Sequence, residues 1–388
     1  MNFKGNVKNQ LKALSIILLH LLFFNNISVF GQNSVDPSAI NYSGRKGVVL
    51  YVSKLGNNLD GSSWNNAYHS IQSALSAVPD DKGGHVIAVR PDTYVEANLA
   101  TAFKGAQGSY NLLVGDTDGR LGSGATGRII IDAGDPQKGF KSYDWWGPIR
   151  ATTKDWRPEY TEETFSSICW DRWILRNLYT SGGDGGFFWD LTNKSGEGFT
   201  VIVEDCVGIG RAFGGGVCYP VVRPNEPSIF RRCYFLALDW DHDTAAVLVG
   251  GSEDTMPAFP HLVMVDCTLV HPDNALAISY ASNCARVQAV NCRMIVLNFT
   301  QPEMGGLSTG IICTQGHKQK TGRLHVDLED CILAGYSVFT TGEESKAVSY
   351  TTKGKNQVYV QFTQPTPDGF ERVNTWPSEL FDYIGIPR

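Results

Sequence analysis

Between Leu238 and Gly251 the chain reads LDWDHDTAAVLVGG. Asp239, Asp241 and Asp243 alternate with Trp240 and His242 just ahead of an apolar run. In extended chain, alternate residues share a face. Three carboxylates on one face repel each other unless a cation, an arginine or sugar hydroxyls satisfy them. With His242, whose side chain ordinarily titrates near neutrality, the group can move protons. As a set of oxygens it can hold Ca2+. A solvated acidic turn is the plain alternative. Arg211, in GRAFGGGVC, adds a guanidinium able to grip a carboxylate through two parallel hydrogen bonds.

Whether these groups meet depends on the elements that carry them. VIVEDCVGIG (201–210), SIFRRCYFLA (228–237), LVMVDCTLVH (262–271), VQAVNCRMIV (287–296) and HVDLEDCILAG (325–335) repeat one pattern. Each is an alternating apolar strand, a polar residue, a cysteine and a second short strand. The cysteines are 206, 233, 267, 292 and 331, spaced by 27, 34, 25 and 39 residues. WILRNLYTSG fits one step earlier, with Asn177 in the polar slot and Leu178 in the cysteine slot. A further strand follows each unit: GGFFWDLT, GGVCYPVV, TAAVLVGG, NALAISYA and TGIICTQG. Two to three short strands per repeat predict a solenoid of β-coils. One cysteine slot shared by successive coils predicts an internal ladder of free, buried thiols rather than disulfides.

Neighbouring coils lie about 4.8 Å apart, so equivalent slots meet. The slot ahead of the groove strand holds Asp184, Arg211, the 239–243 cluster, Asp273 and then Glu303 to Thr309. A purely structural turn would favour Gly, Asn or Ser there. The far end of the strand offers Tyr219, Arg223, Tyr280, His317 and Lys318, which also suit ordinary packing or surface charge. The candidates for catalysis are therefore His242, Asp243, Arg211, Asp241, His317 and Lys318. Those for substrate binding are Asp184, Trp189, Tyr219, Arg223, Asp273 and Tyr280. The cofactor is either none or a Ca2+ held by Asp239, Asp241 and Asp243. GDTDGR (115–120) resembles part of a Ca2+ loop but lacks its downstream glutamate, so a tight turn is expected.

The chain has 388 residues, 42% of them hydrophobic, with 19% charged and 41 glycines. This suits an all-β protein with one large core. The net charge is −6 and no basic stripe appears, which excludes nucleic acid as a partner. Lys4, Lys8 and Lys12 precede the apolar run Ala13–Phe24, with a plausible cut near Gly31–Gln32. Residues 1–31 thus read as a secretory signal too short to span a membrane, with no cysteine for a lipid anchor. A soluble, periplasmic or secreted monomer is expected. Residues 32–388 form one domain: a cap over 48–99, a Trp-rich insertion at about 136–168, coils over about 169–340 and a C-terminal cap over 341–388. In the first cap Tyr68, Ile71, Leu75 and Val78 make one apolar face of a short helix. The insertion's tryptophans suit stacking on sugar rings or a local core.

Within Tyr51–Glu96 the segments YVS, DGSSW, SIQSALSAV and VIAVRPDTYVE resemble the N-terminal region of pectin-lyase-like right-handed parallel β-helix proteins. With the cysteine repeats the resemblance covers essentially the whole mature chain. It implies an all-β, carbohydrate-active protein, although the fold hosts lyases, hydrolases, esterases, epimerases and non-catalytic adhesins. Three functions follow. The first is β-elimination on a uronic-acid polysaccharide or oligosaccharide, with loss of a C5 proton and of the C4 substituent. A sugar leaving group makes a polysaccharide lyase; water makes an oligosaccharide dehydratase. The second is glycoside hydrolysis by paired aspartates. DHDTAAVLV is loosely similar to the polygalacturonase branch, but PDNALAI replaces its Gly-His-Gly and no Arg-Ile-Lys follows. The third is a glycan-binding solenoid without catalysis.

Overall fold

The computed structural model describes residues 44–133, 149–151, 167–183, 185–191, 196–238, 244–279, 282–297, 310–314, 322–339, 348–360 and 364–375. These form a right-handed parallel β-helix with three parallel sheets of ten, ten and six strands. The chain visits the sheets in turn. One coil contributes Val201–Glu204 to the first sheet, Val207–Gly210 to the second and Phe213–Cys218 to the third. The next coil lays Ser228–Arg231, Tyr234–Ala237 and Ala245–Val249 on top, pairing Glu204 with Arg231, Val207 with Tyr234 and Phe213 with Ala245. Period-two alternation sends Val201 and Val203 into the core and Ile202 and Glu204 to the outer face.

The polar slot ahead of each cysteine is the corner between the first and second sheets. Asn177, Asp205, Arg232, Asp266, Asn291 and Asp330 all sit there at φ between +49° and +58°. Asn and Asp tolerate this left-handed conformation best among residues with a side chain. Arg232 is the exception, at a cost of about 1–2 kcal/mol. Its guanidinium reaches one coil back to Asp205, with Nε and Nη2 each 2.6 Å from a carboxylate oxygen. Both partners are partly exposed, so this pair offsets less than about 1 kcal/mol.

After the corner, the cysteine turns inward. Each thiol donates to the carbonyl two residues back: Cys206 to Glu204, Cys233 to Arg231, Cys267 to Val265, Cys292 to Val290 and Cys331 to Glu329, at 3.2–3.4 Å. The slot needs a small side chain that is apolar enough for the core yet donates one weak hydrogen bond, and cysteine meets both demands. All nine cysteines are free thiols. Burial pushes the Cys267, Cys292 and Cys331 thiols well above the ordinary range.

The helix is Ile71–Ser76, shorter than the apolar face that predicts it, because Tyr68 instead bridges to Val52. Ser70 caps its N-terminus, and the Glu96 carboxylate accepts the free N–H groups of Ile71 and Gln72 at 2.7 and 2.9 Å. Ile71 and Leu75 are fully buried against the first coil. Coils begin earlier and end later than the cysteine repeat suggests. Val49–Val52, Val86–Val89 and Asn111–Gly115 are already first-sheet strands, and Val348–Lys353 and Asn356–Val360 extend the first and second sheets beyond residue 340. Phe339, Tyr350 and Phe370, with centroids 4.5–6.5 Å apart, cluster at that end. Among the described residues no helix is long and apolar enough to cross a membrane.

The ladder has a chemical signature. In the native protein a thiol reagent is expected to modify at most Cys169, which is half-buried, whereas all nine thiols react after denaturation. Titration that finds the ladder cysteines paired would contradict it.

Candidate functional site

The turns that carry the predicted chemistry join the second sheet to the third. Their backbones are tied from coil to coil: Arg211 N–H donates to Gly183 O at 2.9 Å, Leu238 N–H to Arg211 O at 3.0 Å, and Ala246 N–H to Asn274 O at 3.1 Å. Successive turns therefore stack along one edge of the third sheet, and Arg211 and Asp273 belong to that stack. Arg211 is half-buried and Asp273 is buried. Asp184, Asp239, Asp241, His242, Asp243, Tyr280, His317 and Lys318 lie outside the described residues. So do the Trp-rich insertion's Trp145, Trp146 and Trp156.

Among the described residues the third-sheet strands carry no histidine and a single carboxylate, Asp190, at a strand end. Phe188, Gly216, Leu248, Ala277 and Cys313 pair in one row, all buried. The run Gly214–Gly216 is glycine because its neighbours fill the space. A Cβ would lie 2.8 Å from Phe235 Cβ at Gly214, 2.7 Å from the Phe235 ring at Gly215 and 2.5 Å from Leu248 O at Gly216. Chemistry at this face must therefore come from the turns at its edges.

Three candidates for substrate binding have their side chains engaged within the protein. Trp189 is fully buried, edge-on to Trp170 at 6.3 Å and tilted against Phe199 at 6.3 Å, so it is a core residue and not a sugar platform. Its strand faces inward at that position, which alternation alone leaves ambiguous in an all-apolar run. Arg223 lies past the far end of Phe213–Cys218, about 20 Å along the strand from Arg211 by the usual rise per residue. Its Nη1 and Nη2 grip Asp171 at 2.7 and 2.9 Å. Arg172 pairs in turn with Glu226 at 2.8 and 2.9 Å, and Tyr110 donates to Glu226 at 2.7 Å. Arg223 thus belongs to a charge-balanced clamp on the opposite turn. Tyr219 is buried, holds φ at +69° and shares a hydrogen bond with the Ser279 hydroxyl, which makes it a structural corner. Asp116, in GDTDGR, accepts from Leu121 N and Ser123 N at 2.9 Å each, the tight turn expected there.

The residues that sequence reasoning missed sit beside Asp273. His271 Nδ1 accepts the backbone N–H of both Asp273 and Asn274 at 2.8 Å. That nitrogen is therefore bare, so Nε2 carries the proton and donates to Thr244 Oγ1 at 2.9 Å. Asn274 Nδ2 also reaches Thr244 O, at 3.3 Å. Thr244 follows the acidic stretch directly, so this clamp fixes the downstream end of that stretch while Leu238 fixes the upstream end. A strand-terminal histidine followed by PDN was the available signal. Among the described residues no three His, Cys, Asp or Glu side chains converge to hold a metal ion.

No protein-family profile matches the chain, and no curated protein sequence matches it. Among solved structures, pectate lyase Pel9A aligns over 85% of this chain and 75% of its own, with a TM-score of 0.47 and 14% identity. XylC in complex with xylose aligns over 84% and 68%, with a TM-score of 0.41 and 9% identity. Escherichia coli ybhc aligns over 83% and 78%, with a TM-score of 0.35 and 12% identity. At these scores the likeness says nothing of activity, and the fold rests on the strand pairing above.

Burial pulls the folded His271 pKa down to about 3 from 6.5. Between these values the unfolded chain binds the extra proton, so stability rises with pH across that window and is lost on acidification. His271→Gln is expected to be less stable at neutral pH and to show a flatter melting temperature from pH 6.5 down to 4. An unchanged slope would place the acid sensitivity elsewhere.

Proposed function

We propose that this chain is an exported, carbohydrate-active β-helix protein that performs β-elimination on a uronic-acid-containing polysaccharide or oligosaccharide. The observation that carries the reading is the stack of second-to-third-sheet turns. Their backbone ties bring Arg211, the anchors of the 239–243 stretch and the Asp273 turn to one edge of the third sheet at coil spacing. A sugar ring spans about one coil repeat, so one uronate can meet two such turns.

In this mechanism Arg211 pairs with the uronate carboxylate through two hydrogen bonds, which stabilises the negative charge that develops when the C5 proton leaves. His242, or Asp243 beside it, takes that proton. The C4–O bond then breaks and the leaving oxygen takes up a proton from the protonated base or from water, giving a C4–C5 double bond and a free sugar hydroxyl, or water where C4 bears a terminal hydroxyl. Ca2+ on Asp239, Asp241 and Asp243 would take over the role of Arg211 in a metal-dependent version. His317 and Lys318 are the next candidates for the base. Export rests on the lysine-flanked apolar run Ala13–Phe24.

The test is to incubate the full mature protein with uronate glycans and follow the ultraviolet absorbance of an unsaturated uronate alongside new reducing ends. Both together mark a lyase, absorbance alone a dehydratase, and reducing ends alone a hydrolase, which would overturn the elimination reading. His242→Ala, Asp243→Ala or Arg211→Ala, folded by melting temperature, should lower turnover roughly 10²–10⁴-fold where the residue serves as base or charge partner. Full activity in all three would move the chemistry to another turn. Loss of activity on chelation, with a lowered melting temperature, would select the Ca2+ version.

A further inference from the structure

The outer face of the first sheet carries a second group of reactive side chains, far in sequence from the turns above. In Arg323–Glu329 the residues Leu324, Val326 and Leu328 are fully buried, so His325 and Asp327 project from the opposite face. The neighbouring strand Val348–Lys353 pairs in register, Ser349 with His325 and Thr351 with Asp327. Alternation and register together place Ser349, His325, Asp327 and Thr351 on one surface.

The contacts run in a line. Ser349 Oγ is 2.8 Å from His325 Nδ1, and His325 Nε2 is 3.2 Å from Asp327 Oδ1. An ionised carboxylate can only accept, so Nε2 carries the imidazole proton and Nδ1 is left bare. The Ser349 hydroxyl therefore donates to Nδ1, which lies closer than its other acceptor, Leu324 O at 3.4 Å. Asp327 is buried and kept ionised. Burial works against the charge, but hydrogen bonds from His325, Arg286 and Thr351 outweigh it and hold the carboxyl well below its usual range. Arg286 supplies Nε at 2.8 Å and Nη2 at 3.1 Å, and Thr351 Oγ1 donates at 2.5 Å. Ser349 itself is exposed and His325 half-buried. The orienting carboxylate is thus fixed and shielded while the hydroxyl is open to solvent.

We propose that Ser349, His325 and Asp327 form a nucleophile, base and orienting carboxylate that hydrolyse esters of short acyl groups such as acetate. The line reads nucleophile–base–carboxylate, with the nucleophile on Nδ1 and the carboxylate on Nε2, and the roles depend on geometry rather than on chain order. Ser349 Oγ attacks the ester carbonyl carbon while its proton passes to His325 Nδ1. The bond to the leaving alcohol breaks, and the alcohol takes that proton. Water then attacks the acyl-serine, again giving its proton to Nδ1. The acyl–Oγ bond breaks, the proton returns to Ser349 and a carboxylic acid leaves. Asp327 stabilises the imidazolium formed in each half. Arg286, in register with His325 on the adjacent strand, places a cation on the same face. Ser349 stands on an open surface, which suits a small acyl group.

This proposal is independent of the elimination reading. The full mature protein is treated with a fluorophosphonate serine probe and assayed with p-nitrophenyl acetate. A single adduct mapping to Ser349 is expected. Ser349→Ala should abolish both adduct and turnover, and His325→Gln, at unchanged melting temperature, and Asp327→Asn should each lower the labelling and hydrolysis rates roughly 10²–10⁴-fold. No adduct at Ser349, or labelling that is indifferent to His325→Gln, would overturn the proposal and leave the group as a surface hydrogen-bond ladder. If Asp327→Asn fails to fold, Ser349→Ala and His325→Gln, whose side chains are not fully buried, still decide.

Discussion

Six successive coils pass from the first sheet to the second through a single residue held in the left-handed region of the backbone, from Asn177 to Asp330. That corner is the constraint on which the rest depends. It turns the chain sharply, releases a carbonyl to the interior and brings the next side chain inward, where a small weak donor fits. Asn or Asp at the corner and cysteine after it are local solutions to one geometric demand. Repeating the demand from Asn177 to Asp330 locks successive coils in register. Register in turn decides which side chains meet across coils, including Arg232 with Asp205 and Asn291 with Asp266.

The same register governs both candidate sites, by different routes. In the turns beside the third sheet it acts through backbone ties, and the side chains there depend on anchors such as His271, Thr244 and Asn274. On the first sheet it acts directly, since strands pair residue by residue and a hydroxyl, an imidazole and a carboxylate fall into contact without any loop. The first arrangement allows variable loops to change the chemistry while the scaffold stays fixed. The second leaves little freedom, because each side chain is held by its neighbours on the sheet.

Much of the fold could be read from the chain because the corner leaves a double mark, a polar residue and then cysteine. Where that mark is missing the coils were hidden. Neither end of the solenoid has a cysteine in the slot, so the sequence there reads as caps. Side-chain direction was harder. GGFFWD is apolar throughout, so no alternation says that Trp189 faces inward. Arg223 stands at the far end of its strand as the sequence implies, but its pairing with Asp171, 52 positions away, leaves no mark in the sequence. His271 was passed over as part of a strand end, and its importance lies in two backbone N–H groups that no side-chain pattern reveals. Ser349 and His325 are 24 positions apart, and only the strand register joins them.

The two mouths of the solenoid are closed in different ways. At the N-terminal mouth a capped helix plugs the first coil and Glu96 fastens it by two backbone hydrogen bonds. At the other end the half-buried rings of Phe339, Tyr350 and Phe370 cluster at the final strand of the first sheet, Val348–Lys353, in which no residue is buried. In a stack where each coil rests only on its neighbours, resistance to opening is set by the weaker end. The contacts among the described residues therefore imply a mechanical polarity: pulled or heated, the stack is expected to peel from its C-terminal coil, with the thiol ladder separating one rung at a time toward the helix.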